Sequence, residues 1–116
     1  MSTAPEHHGE RIMQPERTPE ALTAAMSRIA PHRLTDMTEQ KEKAFALAAE
    51  TESIAPVQAW MTIWAAEVEI ERRPDLSERR PRAEHGVQTF PKGSPEFLAS
   101  VAETVAVLNE ARTMAA

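Results

Sequence analysis

The sequence has no cysteine and no tyrosine, and only three phenylalanines and two tryptophans. Without cysteine there are no disulfides and no thiolate metal sites, a composition that fits a reducing compartment. Runs of β-branched residues are scarce and alanine is frequent, which favours helix over sheet. The three glycines form no phosphate-cradling loop, and no Gly-x-Ser-x-Gly elbow occurs. No stretch reaches the roughly 18 to 20 apolar residues of a membrane span. The opening residues MSTAPEHHGERIMQPER lack the apolar core of a secretory signal, so a cytoplasmic address and no membrane association are expected.

What is present is charge with an acidic bias. The 116 residues carry 18 acidic and 13 basic side chains, for a formal net charge of -5. Nucleic-acid binding needs clustered positive charge, so this balance suits a basic protein partner better. The length fits one domain with one modest core, plus tails.

Proline and hydrophobic spacing divide the chain. Residues 1–17 are polar and aperiodic, and read as a disordered tail. A helical domain is expected over 18–73, with helices at about 19–30, 36–52 and 56–73. Thr18 caps the first helix, Pro19 takes its first position and Glu20 suits the positive end of its dipole. Leu22, Ala25, Met26 and Ile29 then repeat at helical spacing. In the second helix Leu34, Met37, Ala44, Phe45, Ala48 and Ala49 fall on one side, with Lys41 laying its alkyl stem along them. The third helix, opened by Pro56, carries two apolar stripes. Val57, Met61, Trp64 and Val68 form one, widened by Trp60. Ala59, Ile63, Ala66 and Ile70 form the other, on nearly the opposite side. Such a helix is either central to a bundle or keeps one face for a partner.

Beyond Ile70 the pattern breaks. Glu71-Arg72-Arg73-Pro74 recurs seven residues later as Glu78-Arg79-Arg80-Pro81. Residues 74–93 hold three prolines, two glycines and little apolar material, and read as a flexible Arg/Pro-rich linker. A last helix is expected over 94–114, with Ser94 and Pro95 at its start. Leu98, Val101, Val105 and Leu108 form a short seam at spacings of three and four. The fold class is therefore all-α, a three-helix domain with a C-terminal helix across a link. That helix packs either on its own chain or on another.

Catalytic and metal chemistry find no constellation. His7, His8, His32 and His85 fall in segments read as tail, turn or linker, and none pairs with another at i,i+4. Glu67, Glu69 and Glu71 have no Glu-x-x-His to complete a carboxylate metal site, and read as a solvated helix end in which Glu69 and Arg73 pair at i,i+4. No cofactor is expected, and the chain reads as a non-enzyme. A helix-turn-helix alignment around residues 47–57 places Glu52 where the turn favours glycine. Its second helix would also lack arginine near its start, where base readout needs it.

The segment from Thr18 to about Pro74 resembles an actinobacterial family of short helical proteins known only as a domain of unknown function. Ala21, Leu22, Ala25, Met26, Phe45, Ala55, Pro56, Val57, Trp60 and Trp64 carry the likeness. Association of some members with toxin genes implies an antitoxin-like role. The expected function is thus a protein-binding module that neutralises a basic partner such as a toxin. Ile63, Ile70, Leu98, Val101, Val105 and Leu108 are its apolar anchors, and Arg72, Arg73, Arg79 and Arg80 its charged contacts. Charge reversal at Arg79 and Arg80 is expected to weaken binding without unfolding the domain. Self-association through the last helix is the other partner expectation. The alternatives are a DNA-binding regulator and a structural or assembly protein of a larger particle.

Overall fold

The structure is a computed structural model and describes residues 12–116. The described residues form an all-α fold with no strand. Helix α1 spans Pro19–Ile29 and a 3-10 turn spans Pro31–Arg33. Helices α2, α3, α4 and α5 then run over Leu34–Thr51, Ala55–Arg72, Pro74–Thr89 and Pro95–Ala115.

Helix starts follow local chemistry. Thr18 is extended at φ -128°, and its hydroxyl accepts from the Ala21 amide at 3.1 Å. The Ser94 hydroxyl accepts from the Phe97 amide at 3.1 Å in the same way. Both caps satisfy an amide that the helix leaves open, and both are followed by proline at the first helical position. Gly93 at φ +84° supplies the left-handed residue of the tight turn closed by the Ser94 amide on the Pro91 carbonyl.

The end of α2 departs from this economy. Glu52 sits in the left-handed region at φ 55°, where glycine is the unstrained choice. Its amide and that of Ser53 both donate to the Ala48 carbonyl, a Schellman-type ending.

α3 is the central helix, packed against all four others. Val57, Trp60, Trp64 and Val68 are buried. Trp60, Trp64 and Val68 join Leu22, Ala25, Met26 and Met37 in one core cluster, with Met61 half-buried against it. On its other side Ala66 and Ile70 are buried with Leu76, Val107 and Ala111. The two-stripe pattern thus has two cores behind it. The second stripe is only half covered, because Ile63 and Ala59 lie exposed beyond α4 and α5.

Two expectations change and one open alternative is decided. Residues 74–89 of the expected linker are helix α4, which buries Leu76, Ala83 and Gly86. The α5 helix packs on α3 and α4 of its own chain. The tail expected over 1–17 is partly anchored: Ile12 packs against the first core, and its carbonyl accepts from Arg72 Nη1 at 2.8 Å. Residues 1–11 of that tail lie outside the described residues.

α4 holds a proline inside the helix and a glycine at its contact with α5. Pro81 brings no amide to the Ser77 carbonyl one turn earlier, at a cost of roughly 3 kcal/mol relative to alanine in a helix interior. A Cβ on Gly86 would collide with the Ser100 side chain. Pro81→Ala should therefore raise the unfolding free energy by about 1–3 kcal/mol. Gly86→Ala should lower it by about 1–3 kcal/mol, although alanine is the better helix former. Urea denaturation followed by circular dichroism reads both. Agreement in sign between the two variants would contradict the α4 packing.

Candidate interaction surface

The arginines of the doubled Glu-Arg-Arg-Pro motif form ion pairs within the chain. Glu69, 1% exposed, accepts from Arg72 Nε at 2.9 Å and from Arg73 Nε at 2.7 Å. Glu67 is also buried and sits between two guanidinium groups. Arg33, from the turn after α1, reaches its Oε1 at 2.9 Å, and Arg80 of α4 holds both of its oxygens. Arg33 extends the network to Glu71 at 2.8 Å and lies over the Trp64 ring, 5.2 Å from its centroid. Arg80 adds Glu84 at 3.1 Å. Arg79 grips two carboxylates of α5, Glu103 and Glu110, with its three nitrogens between 2.8 and 3.2 Å from their oxygens.

Burial pushes the Glu67 carboxyl up, but the hydrogen bonds and charges of Arg80 and Arg33 outweigh it and hold the group below its ordinary range. Hydrogen bonds from Arg79 lower Glu103 and Glu110 as well. Hydrogen bonds from Glu110 and Glu103 in turn raise Arg79. Arg72, Arg73, Arg79 and Arg80, expected as charged contacts for a partner, are thus each engaged in ion pairs within the chain. Charge reversal at Arg80 would set a carboxylate against Glu67, so it tests stability rather than binding. Glu67 and Glu69 are likewise no solvated helix end. The Glu69–Arg73 pair does form, inside rather than on the wet side.

The apolar candidates divide. Ile70 is buried under α4 and α5 and is no anchor. Leu108 is half-buried against the same cluster. Leu98, Val101 and Val105 are exposed along the outer face of α5, and Ala102 lies among them. Ile63, 48% exposed, belongs to a second surface. There the second half of α2 runs beside the first half of α3. Phe45, Leu47 and Ile54 are exposed with it, and Phe45 is thus no part of the buried side of α2. Ala44, Leu47, Pro56, Ala59, Trp60 and Ile63 line a groove of about 350 Å³ between the two helices, with Gln40 and Lys43 on one wall. Indole hydrogen bonds keep its floor in place. Trp60 Nε1 donates to the Met37 carbonyl at 3.2 Å, and Trp64 Nε1 donates to Gln40 Oε1 at 3.1 Å.

Sequence reasoning missed Phe45, Leu47 and Ile54 as surface groups. The signal was available: α2 has more apolar positions than one 100° stripe can hold. Among the described residues no group of three or more His, Asp or Glu is placed to hold a metal. No helix among them is long and apolar enough to cross a membrane. No family model, curated protein or solved structure matches the chain.

Removing the charge of Glu67 leaves Arg33 and Arg80 without a shared carboxylate and sets a glutamine NH2 donor against one of them. Glu67→Gln should cost about 2–4 kcal/mol, below the usual figure for breaking a buried pair because both arginines are partly exposed. The pH response has a definite sign. A carboxyl with a lowered folded-state pKa contributes stability in full above its unfolded value, about 4.3. That stability is lost as pH falls through the folded value. Denaturation midpoints measured below pH 5 should fall more shallowly for Glu67→Gln than for the native chain. Parallel curves would remove Glu67 from the acid response.

Proposed function

We propose that this chain is a non-enzymatic protein-binding module of antitoxin-like type that covers a basic partner. The observation that carries the reading is the amount of large apolar side chain left outside: Phe45, Leu47, Ile54 and Ile63 on the α2–α3 hairpin, and Leu98, Val101 and Val105 on α5. Leu47 and Ile63 border one groove, and Leu98, Val101 and Val105 share one face of α5; grouped exposed apolar surface is a mark of interaction sites in soluble proteins. The net charge of -5 favours a positively charged partner through steering and complementarity. The antitoxin element rests on the family resemblance over residues 18–74, and a cytoplasmic address is part of the same proposal.

Ile63, Leu98, Val101 and Val105 remain the anchors of this reading, and Leu108 contributes only its uncovered edge. The DNA-binding alternative gains nothing from the Arg-rich motif, whose guanidinium groups already meet carboxylates. Self-association or particle assembly would use the outer face of α5.

Affinity purification of the full-length chain from the cells that make it, together with sedimentation of the isolated chain, tests the reading. A stoichiometric protein of net positive charge should co-purify, and the isolated chain should sediment without concentration-dependent growth. Recovery of no stoichiometric protein from lysates prepared at low salt would remove the proposal. Growth into large oligomers would transfer the case to assembly.

A further inference from the structure

We propose that the groove between α2 and the first half of α3 receives an amphipathic basic helix of the partner. This rests on the protein-binding reading and assigns that function one site and one kind of ligand. The groove floor is apolar, formed by Ala44, Leu47, Ala59, Trp60 and Ile63. Two helices packed side by side leave a groove that accepts a row of side chains from a third helix. They offer no free backbone ladder to an extended strand, which would need its amides and carbonyls satisfied. From Pro56 to Ile63 the groove runs along roughly two turns, or about 10 Å, enough for apolar anchors at positions i, i+3 or i+4, and i+7.

The charge around the groove selects the ligand. Between residues 34 and 63 stand Asp36, Glu39, Glu42, Glu50 and Glu52, against Lys41 and Lys43. All five carboxylates are exposed. None of the five meets a cation among the described residues, whereas Glu67, Glu69, Glu71, Glu103 and Glu110 all do. The fold directs five arginines, Arg33, Arg72, Arg73, Arg79 and Arg80, to the other group. At helical spacing Asp36, Glu39 and Glu50 fall on the Lys43 and Leu47 side of α2, whereas Glu42 falls away from it, so the acidic rim lies along the α2 wall of the groove. Lys43, on the groove wall, is the one cation that opposes the ligand there. A basic amphipathic helix supplies what the surface lacks, apolar side chains for the floor and cations for the rim.

A fluorescently labelled 18-residue peptide of leucine and lysine in amphipathic helical order is the probe. Its counterpart with glutamate in place of lysine is the control. Both are titrated by anisotropy into the full-length chain. The lysine peptide should bind at least tenfold more tightly than the glutamate peptide. Ile63→Asp and Leu47→Asp should each weaken it at least tenfold. Both positions are exposed, so the variants keep the fold, as circular dichroism would check. The added negative charge would by itself strengthen attraction to a cationic peptide, so a loss can come only from the apolar floor. Lys43→Glu should tighten binding several-fold, and Val105→Asp on α5 should leave it unchanged. Binding that is insensitive to Ile63→Asp and Leu47→Asp, or no binding of the lysine peptide, overturns the groove assignment. If Val105→Asp abolishes binding instead, the protein-binding reading stands and its site moves to α5. If the isolated chain is a dimer that Ile63→Asp makes monomeric, a second copy fills the groove and the proposal falls.

Discussion

A carboxylate withdrawn from water must be met by cations or it will not stay ionised, and Glu67 is met from two directions. Arg33 comes from the turn that follows α1, and Arg80 comes from α4. One side chain of the central helix therefore ties the first third of the chain to the fourth helix. The pairing is directional, since a guanidinium donates in a plane and the two oxygens of Glu67 divide between two forks. Apolar burial alone would hold α4 through Leu76, Ala83 and Gly86, which is little for a helix of 16 residues with a proline inside it. The ion pairs fix where along α3 that helix rests. Arg79 extends the same arrangement to α5 through Glu103 and Glu110.

This interior use of arginine shapes the exterior. With those five cations held at the junction of α3, α4, α5 and the turn after α1, the α2–α3 hairpin carries mostly acid. Its apolar groups face out for a related geometric reason. α3 is covered on both sides only where α1 lies against one face and α4 and α5 lie against the other. Toward its N-terminus the second stripe runs out beside α2, where Ala59 and Ile63 stay exposed. Ala66 and Ile70 are buried while Ile63 and Ala59, one and two turns before Ala66 on the same stripe, are exposed. The stripe is continuous in sequence but its cover ends between Ile63 and Ala66.

Local signals in the sequence were read correctly where their physics is local. Thr18-Pro19 and Ser94-Pro95 announce helix starts because the cap and the proline act within one turn. The doubled face of α3 was visible from spacing alone. The α4 helix was hidden because what stabilises it is distant: Arg80 meets Glu67 13 residues away, and Arg79 meets Glu110 31 residues away. Read one turn at a time, its two prolines and its charges describe a linker. The same distance hid the burial of Glu67, whose partner Arg33 lies 34 residues upstream. For the interaction surface the outcome was mixed. Ile63, Leu98, Val101 and Val105 are outside, whereas Ile70 is inside, because periodicity gives a face and not the length over which a neighbour covers it.

The tip of the α2–α3 hairpin adds an argument of its own. Glu52 occupies a left-handed position that costs a non-glycine residue of order 1 kcal/mol. A glycine would form the same Schellman-type ending without that strain. Among the described residues no hydrogen bond or ion pair of the Glu52 side chain offsets the cost, and Glu52 is exposed, as is Ile54 two residues on. Together with Glu50 it leaves the turn acidic. Strain with no return inside the fold is reasonable where the side chain works outside it. The acidic tip, the uncovered stripe and the intramolecular use of arginine then have one physical consequence. They give the hairpin an acidic surface on which apolar side chains of both helices stay uncovered.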